Sequence, residues 1–506
     1  MLLSSKKNNL TLHGGIGALF GTMLFIICFT GTWSLAKEEL YNWWQPALAA
    51  TYKQPLSLEQ LISIAKDKGV SFSHINILLP QPYNPSISFC IPPNNCILTL
   101  NTMTGEQQLP TQALDTLITL HKTFYAGFIG RIIISLFGIV LCLLIISGLI
   151  IHSWRLRHFI KIRWRKGLHA FSYDCHSLLG LWALPWLILI AITGTISGLG
   201  ALATIGLSSL AFPEKPQQAY IALMQPNFKK LSGTKSNAEL MLTSLLVEDK
   251  AYQPNFIAQT ISLQNWGDMS ATVEIGGYSQ GNISNALFER HLYQLHPPKR
   301  LKDISAAKQS LWVRAFIANQ PLHFGQYQWA GEAYVPLRFF HFCMGVASCL
   351  LIISGLYLWS NRHQHATKSQ WLLKHLSLGI CGGLVVATGV LLLGHLFLPQ
   401  DFNFSLLLAS SWLIAALAPL LLFHQSSNKY CSLQLMLAGL CYTLASLLHL
   451  YTIRNPIQLK NIWYVDFTLF VIGILLILIS YKINIPLSAI NLNQTKQQIR
   501  VENYHA

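Results

Sequence analysis

Histidine is the side chain in this sequence with the most chemistry to offer, and its placement is unusual. Of 18 histidines, several stand at the ends of long apolar stretches. An imidazole is costly there, so its presence points to function. His13 and His176 each open such a stretch, and each is followed four residues on by a glycine, Gly17 and Gly180. That spacing puts the glycine one helical turn deeper on the same face. A small residue there leaves room for a flat macrocycle beside the ring, and two facing imidazoles could grip one iron axially. A second set lies at the other ends of the stretches: His121 and His323 just before two of them, and His341 one turn inside the latter. Arg131 and Arg338 sit at that rim, where a guanidinium suits a carboxylate such as a haem propionate. For a lone histidine or arginine here, contact with lipid headgroups is the plainer reading.

A repeat turns these residues into a pattern. At one constant offset His13 matches His176, Gly17 matches Gly180, and Thr30-Gly31-Thr32 matches Thr193-Gly194-Thr195. At a second offset Leu-Ile-Ile-Ser-Gly-Leu recurs at 144–149 and 351–356, and Arg131 matches Arg338. His341 breaks the pattern, since Ile134 holds its matched position. Each repeat therefore reads as helix, external segment, helix. Zinc is disfavoured as the metal, because no close Cys/His spacing is present. A proton or cation pathway is disfavoured too: the stretches hold almost no carboxylates, with Asp466 the main exception.

These histidines must be carried by membrane helices. Of 506 residues, 52% are hydrophobic and 11% charged, against about 25% charged in soluble domains. Apolar stretches long enough to cross a bilayer run at about 13–36, 128–152, 176–202, 336–360, 371–398, 405–424, 431–451 and 463–482. The net charge of +16 does not imply nucleic acid, because the basic residues flank the spans. Residues 153–170 hold Arg155, Arg157, Lys161, Arg163, Arg165 and Lys166 and no acid, which marks a cytoplasmic loop. Lys6 and Lys7 agree. The chain then divides into a cytoplasmic N-terminus and first span (1–36), an external segment (37–127), the second span with its basic loop (128–175), a third span (176–202), a second external segment (203–335), a fourth span and loop (336–370), and an appendix of four spans and a cytoplasmic tail (371–506). Both external segments read as a helix followed by strands: Ser57 caps a helix over 57–69 ahead of runs at Ile87–Cys90 and Cys96–Leu100, and the second has a helix at 236–248 and strands within 256–275. Cys90 and Cys96 flank Pro92-Pro93-Asn94-Asn95, a turn composition, and a disulfide is expected there in an oxidising compartment.

Residues 10–365 resemble the PepSY-associated transmembrane helix family. The marks are His13, Gly17 and Thr30-Gly31 with Lys37-Glu38-Glu39-Leu40, then Leu120-His121, Gly127, Gly130-Arg131, Ser147-Gly148-Leu149 and Ser354-Gly355-Leu356-Tyr357-Leu358-Trp359. The segment ending Leu100-Asn101-Thr102-Met103-Thr104-Gly105-Glu106 resembles a PepSY module. Together with the eight apolar stretches counted above, the last four of which depart from the family's shorter pattern, the resemblance implies a polytopic α-helical protein of the bacterial inner membrane with two small α+β PepSY-like periplasmic domains. It also implies two haem b groups, held by His13, His176, His121 and His323, and reduction of a periplasmic ferric chelate such as a ferric siderophore. No nucleotide-binding fingerprint appears, so a cytoplasmic partner or a quinol would supply electrons. His341 departs from the family pattern. It lies three residues after Arg338 on the same helix face, and on that spacing His121 and His341 are expected to share the outer iron, with His323 nearby. The alternative function is a membrane-anchored PepSY module that binds or regulates a peptidase without redox chemistry.

Overall fold

The computed structural model describes residues 2–45, 55–81, 84–92, 95–108, 112–152, 162–163, 166–211, 213–215, 230–236, 242–283, 289–362, 368–399, 401–421, 427–453 and 456–484. The first repeat begins with α1 (Leu2–Leu35) and a short α2 (Lys37–Trp44). The helix α3 (Leu58–Asp67) starts at Ser57, whose hydroxyl accepts from the Gln60 N–H while the Gln60 side chain accepts from the Ser57 N–H. This reciprocal cap ends the unpaired first turn. Strands β1 (His74–Leu78), β2 (Ser86–Ile91) and β3 (Asn95–Asn101) follow, then α4 (Gln112–Thr123) and α5 (Gly127–His152). The second repeat contains α6 (Leu168–Trp182), α7 (Leu184–Ala211), α8 (Leu242–Tyr252), β4 (Phe256–Gln264), β5 (Thr272–Ser279), β6 (Glu289–Leu295), β7 (Pro298–Ile304), α9 (Leu311–Phe324) and α10 (Tyr334–Ser360). The C-terminal bundle is α11 (Lys368–Phe397), α12 (Phe404–Leu421), α13 (Ser427–Thr452) and α14 (Pro456–Asn484).

This is a multi-pass membrane protein. Among the described residues six helices are long and apolar enough to cross a bilayer: α1, α5, α10, α11, α13 and α14. The third expected span is not one straight helix. It is the pair α6 and α7, bent by 67°. Pro185, in the first turn of α7, has no N–H to donate and its ring collides with the preceding turn, so the helix restarts at the break. The sixth expected span, α12, is a shorter apolar helix. Ile129, Ile133, Leu136, Ile139, Leu143 and Ile146 of α5 all lie exposed, as expected of a surface whose solvent is lipid.

The two extramembrane segments do not form separate sheets. Their strands join in one seven-stranded antiparallel sheet of order β3-β2-β1-β4-β5-β6-β7. The join is β1 against β4, with Ile75 opposite Leu263 and Ile77 opposite Ile261. These residues, with Ile87, Phe89, Leu100, Val273 and Ile275, are fully buried and pack with Leu61, Ile62 and Ala65 of α3 and Leu242 of α8. Cys90 and Cys96 are linked by a disulfide across β2 and β3. In the membrane the repeats also interlock: α1 packs on α5 and α10, α6 on α10, and α7 on α5. Of the basic loop, Arg155, Arg157, Lys161 and Arg165 lie outside the described residues, while Arg163 pairs with Asp174 at 2.7 Å. The Pro93-Asn94 turn and residues 485–506 also lie outside them.

Candidate paired-histidine site

His13 of α1 and His176 of α6 lie with ring centroids 6.1 Å apart and planes inclined by 76°. Each ring is held from its Nδ1 side. His13 Nδ1 lies 3.1 Å from the Leu144 carbonyl oxygen and 3.0 Å from Ser147 Oγ. His176 Nδ1 lies 3.0 Å from the Leu351 carbonyl oxygen and 3.3 Å from Ser354 Oγ. The repeat is thus exact in its chemistry: matched histidines meet matched Leu and Ser acceptors. A carbonyl only accepts, so Nδ1 carries the proton and Nε2 carries the lone pair in the neutral ring. This is the arrangement that orients a metal-ligating imidazole.

The sheet-side pair is His121 of α4 with His323 of α9, at 6.3 Å between centroids and 20° between planes. His121 Nδ1 is 3.0 Å from the Ile27 carbonyl oxygen. His323 Nδ1 is 2.9 Å from Thr193 Oγ1. The Thr193 hydroxyl already donates to the Leu189 carbonyl at 2.7 Å, so it accepts from the His323 N–H, and Nε2 again holds the lone pair. Four glycines make room for the four rings. A Cβ on Gly31 would come within 2.8 Å of His121 Cε1, and one on Gly355 within 2.9 Å of His176 Cε1. On Gly194 and Gly148 it would approach His323 and His13 to 3.3 and 3.4 Å. Gly17 and Gly180, expected to leave space beside the rings, would place a Cβ only in ordinary contact with Leu144 and Leu351.

The expected partnership of His121 with His341 is not what the fold assembles. His323 stands 15 positions before Arg338, too far if the chain simply ran into α10. Instead α9 ends at Gly325 in the left-handed conformation, and the chain turns through 328–333 before α10 begins. That reversal keeps His323 against α7. His341 is buried elsewhere, its ring edge-on to Trp186 at 3.9 Å and its Nδ1 2.9 Å from the Tyr327 hydroxyl. Arg338 does not stand open to a propionate either. Glu38, Glu39, Tyr334 and the Leu35 carbonyl take up its guanidinium, because α2 brings two carboxylates to it. Arg131 donates to the Ser197 carbonyl of α7. His395 and His449 reach the same region but flank Trp44 and Trp43 rather than each other, and His375 bonds the Trp371 carbonyl at 2.8 Å.

The donor set can be tested against a haem. Imidazole–metal bonds run about 2.0–2.1 Å and the ring centre lies about 1.1 Å behind the ligating nitrogen, so two imidazoles across one metal have centroids about 6.2 Å apart. The observed 6.1 and 6.3 Å match. Among the described residues no three His, Cys, Asp or Glu side chains converge to hold a metal. The residues fit haem.

The fold and site define a multi-pass membrane protein built on a duplicated helix–sheet–helix unit that presents two histidine pairs. The chain belongs to the PepSY-associated TM region family, which it matches over residues 10–362. It is 44% identical over 302 residues to the uncharacterized protein PA4219 of Pseudomonas aeruginosa, covering 59% of this chain and 75% of that protein. The bundle α11–α14 lies beyond the family match.

Proposed function

We propose that this protein is an inner-membrane haem oxidoreductase that passes electrons across the bilayer to a ferric chelate, with a ferric siderophore as the substrate class. The observation that carries the reading is the two imidazole couples with ring centroids 6.1 and 6.3 Å apart, each ring held through Nδ1. His13 and His176 would hold one haem, His121 and His323 the other. Bound haem would supply one-electron chemistry at its iron. The chain's own residues do the rest. Ser147, Ser354, Thr193 and the Leu144, Leu351 and Ile27 carbonyls fix ring orientation and tautomer. Gly31, Gly148, Gly194 and Gly355 keep the rings in place without displacing the helices. Along α1, His13 and Gly31 are 18 residues apart, about 27 Å of rise. That is close to the roughly 30 Å hydrocarbon thickness, so one pair serves each face of the membrane. On the basic-loop reading of orientation, the sheet and the His121–His323 pair face the periplasm.

Purified protein from haem-replete cells is expected to be red, with a Soret band that shifts on dithionite and about two haems per chain. Each of His13→Ala, His176→Ala, His121→Ala and His323→Ala should lose about half the haem, whereas His341→Ala should keep both. A colourless wild-type protein would leave a membrane-anchored binding module as the better reading.

A further inference from the structure

Beside strands β5, β6 and β7 lies an open polar cavity that the histidine pairs do not use. Its volume is about 450 Å³, within the range of small-molecule sites. Four primary amides line it, those of Gln253, Asn255, Gln280 and Asn282. Two carboxylates, Glu289 and Asp303, and the ammonium of Lys308 line it as well. The mouth is accessible: Tyr252 is 63% exposed, and Lys308 is exposed too.

The walls are held from behind. Gln253 Nε2 donates to Ser279 Oγ at 2.7 Å and to Glu289 Oε1 at 2.6 Å. Arg300 Nε donates to Asp303 at 2.7 Å, and its guanidinium lies 3.6 Å over the Tyr252 ring. The same guanidinium reaches Asp249 at 3.2 Å and the Tyr293 hydroxyl at 2.8 Å. The lining is thus fixed before any ligand arrives, so little ordering opposes binding.

The cavity sits on the membrane-facing end of the sheet. Gly281, next to Gln280, donates its N–H to the Trp329 carbonyl at 2.7 Å, in the turn that precedes α10. Ala307 and Lys308 run directly into α9, and His323 lies 13 residues along it from Ser310, about 20 Å of rise. A ligand held here stands on the same side of the membrane as the His121–His323 pair, where the proposed electron path ends.

We propose that this cavity docks the organic shell of an uncharged metal chelate before reduction. The inference deepens the ferric-chelate reading above and rests on it. A chelate shows the protein its carbonyls, amides and hydrocarbon links rather than its metal. Primary amides donate and accept at once, so they can meet such a surface without leaving a carbonyl unpaired, which would be unfavourable. Charge selects further. Glu289 and Asp303 are matched by Lys308 and Arg300, so these groups carry no net charge to draw in an anion. A polyanionic chelate would meet both carboxylates as like charges.

The test uses full-length protein in detergent, with gallium(III) in place of iron so that no reduction occurs. Neutral gallium desferrioxamine E, a cyclic trihydroxamate, is compared by titration calorimetry with triply negative gallium enterobactin, a tris-catecholate. Saturable binding of the neutral complex is expected, with the anionic one at least about tenfold weaker. Asn282→Trp, which fills the cavity, should abolish binding and leave the haem spectrum unchanged. Glu289→Gln should narrow the gap between the two complexes severalfold. In wild-type protein the neutral complex should protect Lys308 from acetylation and leave Lys68, at the end of α3, reactive. That footprint decides the matter even where a variant does not fold. Haem content of the same preparation is read separately, so a failed cavity is not confused with failed histidine pairs. No saturable binding, an unprotected Lys308, equal or tighter binding of the anionic complex, or full binding in Asn282→Trp would overturn the proposal.

Discussion

The smallest residues carry the sharpest constraint on the site. A Cβ at Gly31 or Gly355 would fall 2.8 or 2.9 Å from an imidazole carbon, closer than side chains pack, so the ring must swing away. The ring cannot swing without losing its Nδ1 hydrogen bond, since the acceptor sits on a helix backbone. Gly31→Ala should therefore lose the haem of the His121–His323 pair, and Gly355→Ala that of the His13–His176 pair, each about half of the Soret absorbance. Gly17→Ala, whose Cβ meets Leu144 at 3.9 Å, should keep both. Haem content of the purified variants by pyridine haemochrome checks the series; full haem in Gly31→Ala and Gly355→Ala would mean the rings do not sit where the metal needs them. Both glycines are visible in the sequence as repeat marks. Their task is not, because each makes room for a histidine on another helix. The same holds for Ser147 and Ser354.

Elements whose signal is local are legible in the sequence, and those set by distant partners are not. The Ser57 cap, the strands around Cys90 and Cys96, and most apolar helices follow from residues within a turn or two of each other. The helix α9 does not, because Pro321 lies inside it and reads as a break. Missing α9 is what hid the place of His323. The join of β1 to β4 is equally invisible, since it is a pairing across 182–190 positions in sequence. Another long-range device supports the sheet. Asp268, in the turn between β4 and β5, accepts from the hydroxyl and N–H of both Ser270 and Ser232 and from the Gly233 N–H. The Ser270 and Ser232 hydroxyls lead in holding its carboxyl well below the usual range. A carboxylate with a depressed folded value adds stability above the unfolded value of about 3.9 and loses it as pH falls through the folded one. Asp268→Asn is thus expected to lower the thermal midpoint at pH 7, with the gap to wild type shrinking as pH drops below about 4. Melting curves by intrinsic fluorescence at pH 7, 5 and 3.5 decide it; a constant gap would assign the loss to packing instead.

At the scale of the whole molecule, the duplication is not two copies of a finished site. Each histidine pair takes one ring from each repeat: His13 and His121 from the first, His176 and His323 from the second. The shared sheet and the packing of α7 on α5 and α1 on α10 bind the halves so that these rings can meet. This crossing has a consequence that single substitutions cannot show. Two substitutions acting on one site should not add, while two acting on separate sites should. His13→Ala combined with His176→Ala should lose the same half of the haem as either alone. His13→Ala combined with His121→Ala, both changes within the first repeat, should lose all of it. A haem pocket built within one repeat gives the opposite result: the His13/His121 double variant would keep half its haem and the His13/His176 variant would keep none. The two outcomes are separated by a full haem equivalent per chain, and they report directly on which helices share an iron.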